Sequence, residues 1–270
     1  MIKSNTPFEI YQIGDRQNIW VKREDLCCEQ ARFSKIRGVE AHLRSVSAST
    51  IGVLDTRHSK AGWGVAYIAQ QMGKRCVVYY PSFKDIRGLR LSQVKAKEWG
   101  AELVGLPAGR SCILYHRACR DLAERFPNSY MLPNALKLSE SVEETANELI
   151  AYTPREMLID KALWVVSVSS GTLAAGVIKG IETIGAKPTV ILHMGYSRKR
   201  EALVKYIQKY AAGDRFRILM VDEGYSYADA VRFPCPFPCN PFYDLKAWRW
   251  LYKKAEQMSY DPIIFWNIGE

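Results

Sequence analysis

Two short segments far apart in the chain carry the residue types that covalent and anionic ligand chemistry needs. Ser34-Lys35-Ile36-Arg37 supplies a lysine amine able to condense with a carbonyl, and Ser167-Val168-Ser169-Ser170-Gly171-Thr172 supplies a turn of small residues. That turn follows an apolar run, Ala162-Leu163-Trp164-Val165-Val166, and leads into Leu173-Ala174-Ala175-Gly176-Val177-Ile178. It is therefore expected to join a buried strand to a helix. At such a junction the first N–H groups of the helix lack intrahelical partners, small side chains let an anion approach, and the helix dipole is positive. A cofactor with an aldehyde and a phosphate suits both segments: Lys35 for the aldehyde, Ser169, Ser170, Gly171 and Thr172 for the phosphate. Pyridoxal 5′-phosphate has those two groups. The plainer alternatives are a solvated Lys35 on a helix and ordinary capping at Ser169 to Thr172, which serine and threonine favour without any ligand.

Around these segments the chain alternates apolar runs with amphipathic stretches, which argues for parallel strands joined by crossover helices. Strands are expected at 19–22, 50–54, 76–80, 102–106, 163–166, 189–194 and 217–221. Helices are expected at 35–43, 63–72, 89–99, 111–125, 141–151, 173–184 and 199–210. The prolines of Phe233-Pro-Cys-Pro-Phe-Pro-Cys-Asn-Pro241 make that segment a loop, because each removes a backbone donor and fixes φ. There is no internal repeat.

Composition suits a soluble enzyme: 270 residues, 48% of them hydrophobic, can bury a large core. Met1-Ile2-Lys3-Ser4-Asn5 lacks the apolar core of a secretory signal, and no apolar run nears the roughly 18 residues of a membrane span, so a cytoplasmic protein is expected. The seven cysteines, Cys27, Cys28, Cys76, Cys112, Cys119, Cys235 and Cys239, are odd in number and scattered, as reduced thiols are. Cys235 and Cys239 with the Cys27-Cys28 pair suit zinc-ligand spacing poorly, and no metal is expected. The net charge of +10 exceeds what a small anionic substrate requires and brings nucleic acid into view as a partner. Cations cluster at Lys84, Arg87, Arg90, Lys95 and Lys97, at Arg110, Arg117, Arg120 and Arg125, and at Arg198, Lys199, Arg200 and Lys205. Trp248-Arg249-Trp250-Leu251-Tyr252-Lys253-Lys254 interleaves rings with cations, the composition of a single-strand groove. Its alternative is a helix with a packed aromatic face and a solvated basic one.

These motifs resemble the fold-type II pyridoxal-phosphate enzymes, and among them the branch that holds 1-aminocyclopropane-1-carboxylate deaminase and D-cysteine desulfhydrase. That branch opens with Thr-Pro, a strand ending Lys-Arg-Glu-Asp-Leu, and Gly-Gly-Asn-Lys-x-Arg-Lys-x-Glu with the Schiff-base lysine. Here stand Thr6-Pro7, Lys22-Arg23-Glu24-Asp25-Leu26 and Arg32-Phe33-Ser34-Lys35-Ile36-Arg37-Gly38-Val39-Glu40. The family's phosphate loop Gly-Ser-Gly-Gly-Thr-Leu-Ala-Gly is similar to Val168-Ser169-Ser170-Gly171-Thr172-Leu173-Ala174-Ala175, and its Asp-Pro-Val-Tyr-Glu-Gly-Lys to Asn240-Pro241-Phe242-Tyr243-Asp244-Leu245-Lys246. The resemblance implies Lys35 as the cofactor lysine, Asp244 as the acid facing the pyridine nitrogen, and Asn267 and Gly269 near the ring. Tyr243, Tyr225, Tyr227 and His58 are acid/base candidates. The family's asparagine on the cofactor's phenolic oxygen is replaced in Arg57-His58-Ser59-Lys60-Ala61-Gly62, where Lys60 takes its place and becomes a rival for the imine. Loss of the Gly-Gly before Lys35 implies a reshaped substrate-carboxylate pocket.

The fold implied is α/β, two open parallel-sheet domains of the tryptophan-synthase-β-like class, with 1–45 and 135–270 forming the larger and 46–134 the smaller. The activity implied is a lyase that forms a carbanion at Cα, in a homodimer. Altered pocket motifs and the basic charge favour an amino acid carried on DNA: a glycyl-type thymine of the kind phages make when they hypermodify DNA, decarboxylated to an aminoalkyl group in the host cytoplasm. A free amino-acid deaminase or desulfhydrase and an inactive nucleic-acid-binding relative are the alternatives.

Overall fold

A computed structural model describes residues 1–14, 17–56, 58–83 and 88–269; Arg57, Lys84 and Arg87 of the motifs above lie outside them. In chain order the elements are β1 (Phe8–Ile13), β2 (Gln17–Arg23), α1 (Ile36–Ser45), β3 (Thr50–Leu54), α2 (Ala61–Gln71), β4 (Arg75–Ser82), α3 (Leu91–Glu98), β5 (Glu102–Pro107), α4 (Ser111–Arg125) and β6 (Ser129–Met131). They continue with α5 (Ser139–Tyr152), β7 (Leu163–Val168), α6 (Thr172–Ile184), β8 (Thr189–Met194), α7 (Arg200–Ile207), β9 (Ile218–Val221), α8 (Asp244–Lys254) and β10 (Ile263–Asn267). The chain forms two compact units, 1–34 with 141–270, and 35–140. The boundary falls before α1 rather than after it because α1 packs on α2 of the smaller unit.

The larger unit is built on a six-stranded sheet in the order β1-β2-β10-β7-β8-β9. All pairings are parallel except β1 with β2. β7 and β8 are buried at every position, the pattern of parallel strands covered on both faces, and Trp164 of β7 meets Trp266 of β10 with ring centroids 5.9 Å apart. From β7 the chain moves outward to β8 and β9, then returns through α8 to β10 on the other side of β7. Strand order thus reverses between β7 and β10, and open α/β sheets hold ligands at the carboxyl ends of the strands at such a point. Val168, which leads into Ser169, and Asn267 mark those ends.

The smaller unit has four parallel strands in the order β5-β4-β3-β6. Its order reverses between β3 and β6, whose carboxyl ends lead into residues 55–60 and 132–136. The segment 233–241 carries no helix or strand. The edge strand β1 and the three-residue β6 were not expected from the sequence.

Two sequence motifs turn out to be framework. Lys22, fully buried, bonds Glu148 at 2.7 Å and the Thr6 carbonyl at 2.6 Å, while Thr6 N–H donates to the same carboxylate. Such a buried pair fixes geometry more than it adds stability. The stretch from Trp248 to Lys254 is part of α8: Trp248 is sealed between Phe237 and Phe265, so its ring is not available to a nucleobase, and Lys253 and Lys254 face solvent.

Candidate active site

The strand-to-helix turn is shaped as an anion cradle. Gly171 sits at φ +92°, a conformation side-chain-bearing residues rarely adopt, and a Cβ there would lie 2.6 Å from Leu203 Cδ1 and 3.1 Å from Tyr206 Cδ1. The turn is thus pressed against α7. Gly171 at the N-cap has no side chain to cap α6; Thr172 N–H makes only a long contact of 3.5 Å with Ser170 Oγ, so the turn's donors and hydroxyls are gathered at one point. Ser170 Oγ and Thr172 Oγ1 lie 3.0 Å apart, and Tyr206 OH lies 3.4 Å from Thr172 Oγ1.

Asp244 opens α8 at the same end of the sheet and is buried. Asn240 builds the turn that presents it: its side chain accepts from Phe242 N–H, its carbonyl from Tyr243 and Leu245 N–H, and its own N–H donates to Gly269. Burial, aided by the charge of Asp25, holds the Asp244 carboxyl well above the usual carboxylate range, against the pull of the nearby Gly269 and Ile268 N–H groups. Among the described residues Asp244 Oδ1 has no hydrogen-bond partner at bonding distance, and the buried Ser167 hydroxyl beside the carboxyl favours its charged form. Asn267 donates from Nδ2 to Asp25 at 2.9 Å and to the Pro238 carbonyl at 2.9 Å, while its buried Oδ1 has no partner among the described residues. Asp25 is in turn clamped by Arg23 at 2.9 and 2.8 Å, so the Lys-Arg-Glu-Asp motif orients Asn267. Tyr243 OH donates to Tyr227 OH at 3.1 Å.

Lys35 and Lys60 both belong to the smaller unit. Lys35 directly follows Ser34, whose N–H donates to the Ile268 carbonyl. Its Nζ donates to the Ala135 carbonyl at 2.8 Å, in the segment that follows β6 at that unit's strand-order reversal. Ala135 and its neighbour Leu136 have φ +61° and +48°, strained values for residues with a Cβ, and such strain gathers at functional sites. The side chain is half-buried; loss of water around the ammonium, with the charge of Lys137 adding to it, lowers its pKa to about 7. Lys60 precedes α2 with its ammonium 5.1 Å above the Trp63 ring.

In the larger unit the structure gathers Ser169 to Thr172, Tyr243, Asp244 and Asn267 around one sheet end. Three residues there escaped sequence reasoning as site members: Ser167 beside Asp244, Arg198, whose guanidinium donates to the Ser169 carbonyl, and Tyr206. The set fits pyridoxal phosphate: a helix start with a glycine cradle and two hydroxyls for the phosphate, and a buried carboxyl whose Oδ1 has no partner among the described residues for the pyridine N–H.

Residues 3–215 match the family described as pyridoxal-phosphate dependent enzyme. A curated relative, the glycyl-dTMP PLP-dependent decarboxylase of Pseudomonas phage M6, is 52% identical over 283 aligned positions that span all of both chains. Among solved structures, an ACC deaminase homologue has a TM-score of 0.77 at 19% identity, covering 99% of this chain and 90% of that one. The O-acetylserine dependent cystathionine beta-synthase of Helicobacter pylori has a TM-score of 0.66 at 16% identity, covering 98% and 92%. At those identities the two structures speak for the fold alone.

Proposed function

Because the chain belongs to the pyridoxal-phosphate-dependent enzyme family, we propose that it decarboxylates a glycyl group carried on a thymine nucleotide, as a step of DNA hypermodification. The observation that carries this reading is the 52% identity, end to end, with the phage glycyl-dTMP decarboxylase. When bound, the cofactor supplies an aldehyde for a primary amine and a ring that draws in the electron pair of a breaking Cα bond. A glycyl group offers both a primary amine and a free carboxylate only when thymine is attached at its Cα. Cleavage of the Cα–carboxylate bond then releases carbon dioxide, and a proton takes the vacated position at Cα. A primary aminoalkyl group is left on the base.

Lys35 is assigned to hold the cofactor and to deliver the proton to Cα. Its pKa near neutrality suits proton exchange at working pH. Ser169, Ser170, Gly171 and Thr172 hold the phosphate, and Asp244 holds the proton of the ring nitrogen. Asn267 flanks the ring, Tyr243 serves as an acid/base, and Lys60 takes the phenolic oxygen. The proposal extends to a homodimer at work in the cytoplasm of a host cell, and no described helix is long and apolar enough to cross a membrane.

The test is to incubate the holoenzyme with an oligonucleotide bearing one glycyl-thymine and weigh the product. Loss of carbon dioxide with the nitrogen retained is expected. Release of ammonia with the carboxylate retained would make the enzyme a deaminase instead.

A further inference from the structure

Beside the cradle, three tyrosines from distant parts of the chain form one aromatic wall. Tyr196 and Tyr227 meet edge to face, centroids 5.2 Å apart and planes at 88°. Tyr227 and Tyr243 follow at 6.3 Å, joined through their hydroxyls at 3.1 Å. All three are half-buried, so each keeps part of its ring accessible. At the outer end the Arg198 guanidinium lies 6.0 Å from the Tyr196 ring and gives one of its N–H groups to Ser169 of the phosphate turn. At the inner end Tyr243 directly precedes Asp244.

The wall is held by a lysine whose ammonium also lies 4.6 Å from the centre of the Tyr225 ring. Lys246 is fully buried, and its Nζ donates to the Gly195 carbonyl at 2.6 Å and reaches the Ser226 carbonyl at 3.5 Å. Those carbonyls immediately precede Tyr196 and Tyr227. Ser197 N–H, donating to the Tyr225 carbonyl at 2.8 Å, ties the same two segments together, and the Tyr243 ring packs on Gly195. Burying an ammonium is costly unless its donors are used, and here they fix the relative placement of two surface rings. A core would not need that.

We propose that this wall seats the pyrimidine nucleotide part of the substrate, with the base against the tyrosine rings and the phosphate on Arg198. The proposal rests on the nucleotide reading above and names the residues that recognise it. Every base has a π-face that stacks on an aromatic ring, and a guanidinium offers a planar fork of donors to phosphate oxygens. A base seated along the wall lies next to Tyr243, one residue from the carboxyl assigned to the cofactor ring, which brings a group on that base toward the chemistry. A free nucleotide and a nucleotide within a strand share this chemistry.

The test titrates thymidine, thymidine 5′-monophosphate and a single-stranded oligothymidylate, none carrying a glycyl group, into the holoenzyme by calorimetry. Tyr196→Ala should weaken all three by about fivefold or more, and Tyr196→Phe should restore binding. Arg198→Gln should reduce the monophosphate to the affinity of thymidine while thymidine itself is unaffected. KM for a glycyl-thymine strand should rise with Tyr196→Ala by more than kcat falls, and Tyr196→Phe should bring it back. Tighter, salt-sensitive binding of the strand would identify DNA as the source of the nucleotide, and equal binding of the monophosphate a free nucleotide. If the wild type decarboxylates the glycyl-thymine strand yet Tyr196→Ala and Arg198→Gln bind and turn over normally, the seat is wrong and the decarboxylase stands. If Arg198→Gln loses cofactor absorbance instead, Arg198 belongs to the cofactor phosphate and the phosphate half of the seat falls. A wild type that neither binds these probes nor releases carbon dioxide overturns both.

Discussion

Replacing Gly171 by alanine should damage the phosphate cradle in a way that can be worked from its geometry. At φ +92° a Cβ costs about 1–2 kcal/mol of backbone strain. It would also stand 2.6 Å from Leu203 Cδ1, and Leu203 is fully buried on α7 and cannot swing away. Forcing a methyl group into such packing adds about 1–3 kcal/mol, for a total of about 2–5 kcal/mol. If the turn keeps its shape, the loss appears as a lower unfolding midpoint. If the turn relaxes, the N–H groups lose their aim and cofactor binding weakens by about 5- to 150-fold for the packing part alone. Gly185, at the other end of α6, is the control: its φ is +78° but nothing lies within 4 Å of its Cβ position. Gly185→Ala should show the backbone cost alone, with cofactor affinity unchanged. Denaturant unfolding of the apoenzyme and cofactor titration would be run on both variants. Two variants alike in both measurements would refute the cradle.

Asp244→Asn should keep the cofactor bound yet lose kcat by at least about a hundredfold, because stabilising a ring proton matters most as the Cα bond breaks; wild-type turnover would remove Asp244 from the site. In the smaller unit, burial raises the Asp55 carboxyl to about 7, although Gly62 N–H and Ser92 Oγ bond it at 3.3 Å each. The folded state then binds more protons than the unfolded state between about pH 4 and pH 7, so this group's stabilisation is complete at the acid end and falls as pH rises, by at most about 4 kcal/mol. Asp55→Asn should flatten that slope of unfolding free energy against pH, and an unchanged slope would show that Asp55 ionises freely in the fold.

The cradle was legible because an apolar run broken by small residues has few other uses. Even so, the strand runs on to Val168: Ser167 and Val168 were read as turn, yet Ser167 is a buried strand residue at the sheet's end. β1 was not legible, since Ile10 is exposed on an edge strand and spoils the alternation. The role of α8 was half legible: a period of three to four places Trp248 and Leu251 inward, and that packing outweighs the aromatic-basic composition that suggests a stacking surface. Lys246 could not be placed from the sequence at all, because its partner Gly195 is 51 residues away and no local spacing encodes that contact. The tyrosine wall was hidden for the same reason: only tertiary packing brings residues 196, 227 and 243 together.

The assignment of Lys35 is tested most directly by reducing the holoenzyme with borohydride and mapping the pyridoxyl label by peptide mass spectrometry. Lys35, with its lowered pKa and its place at the smaller unit's strand-order reversal, should carry the label. A label on Lys60 or Lys246 would contradict the assignment and move the reacting carbon elsewhere.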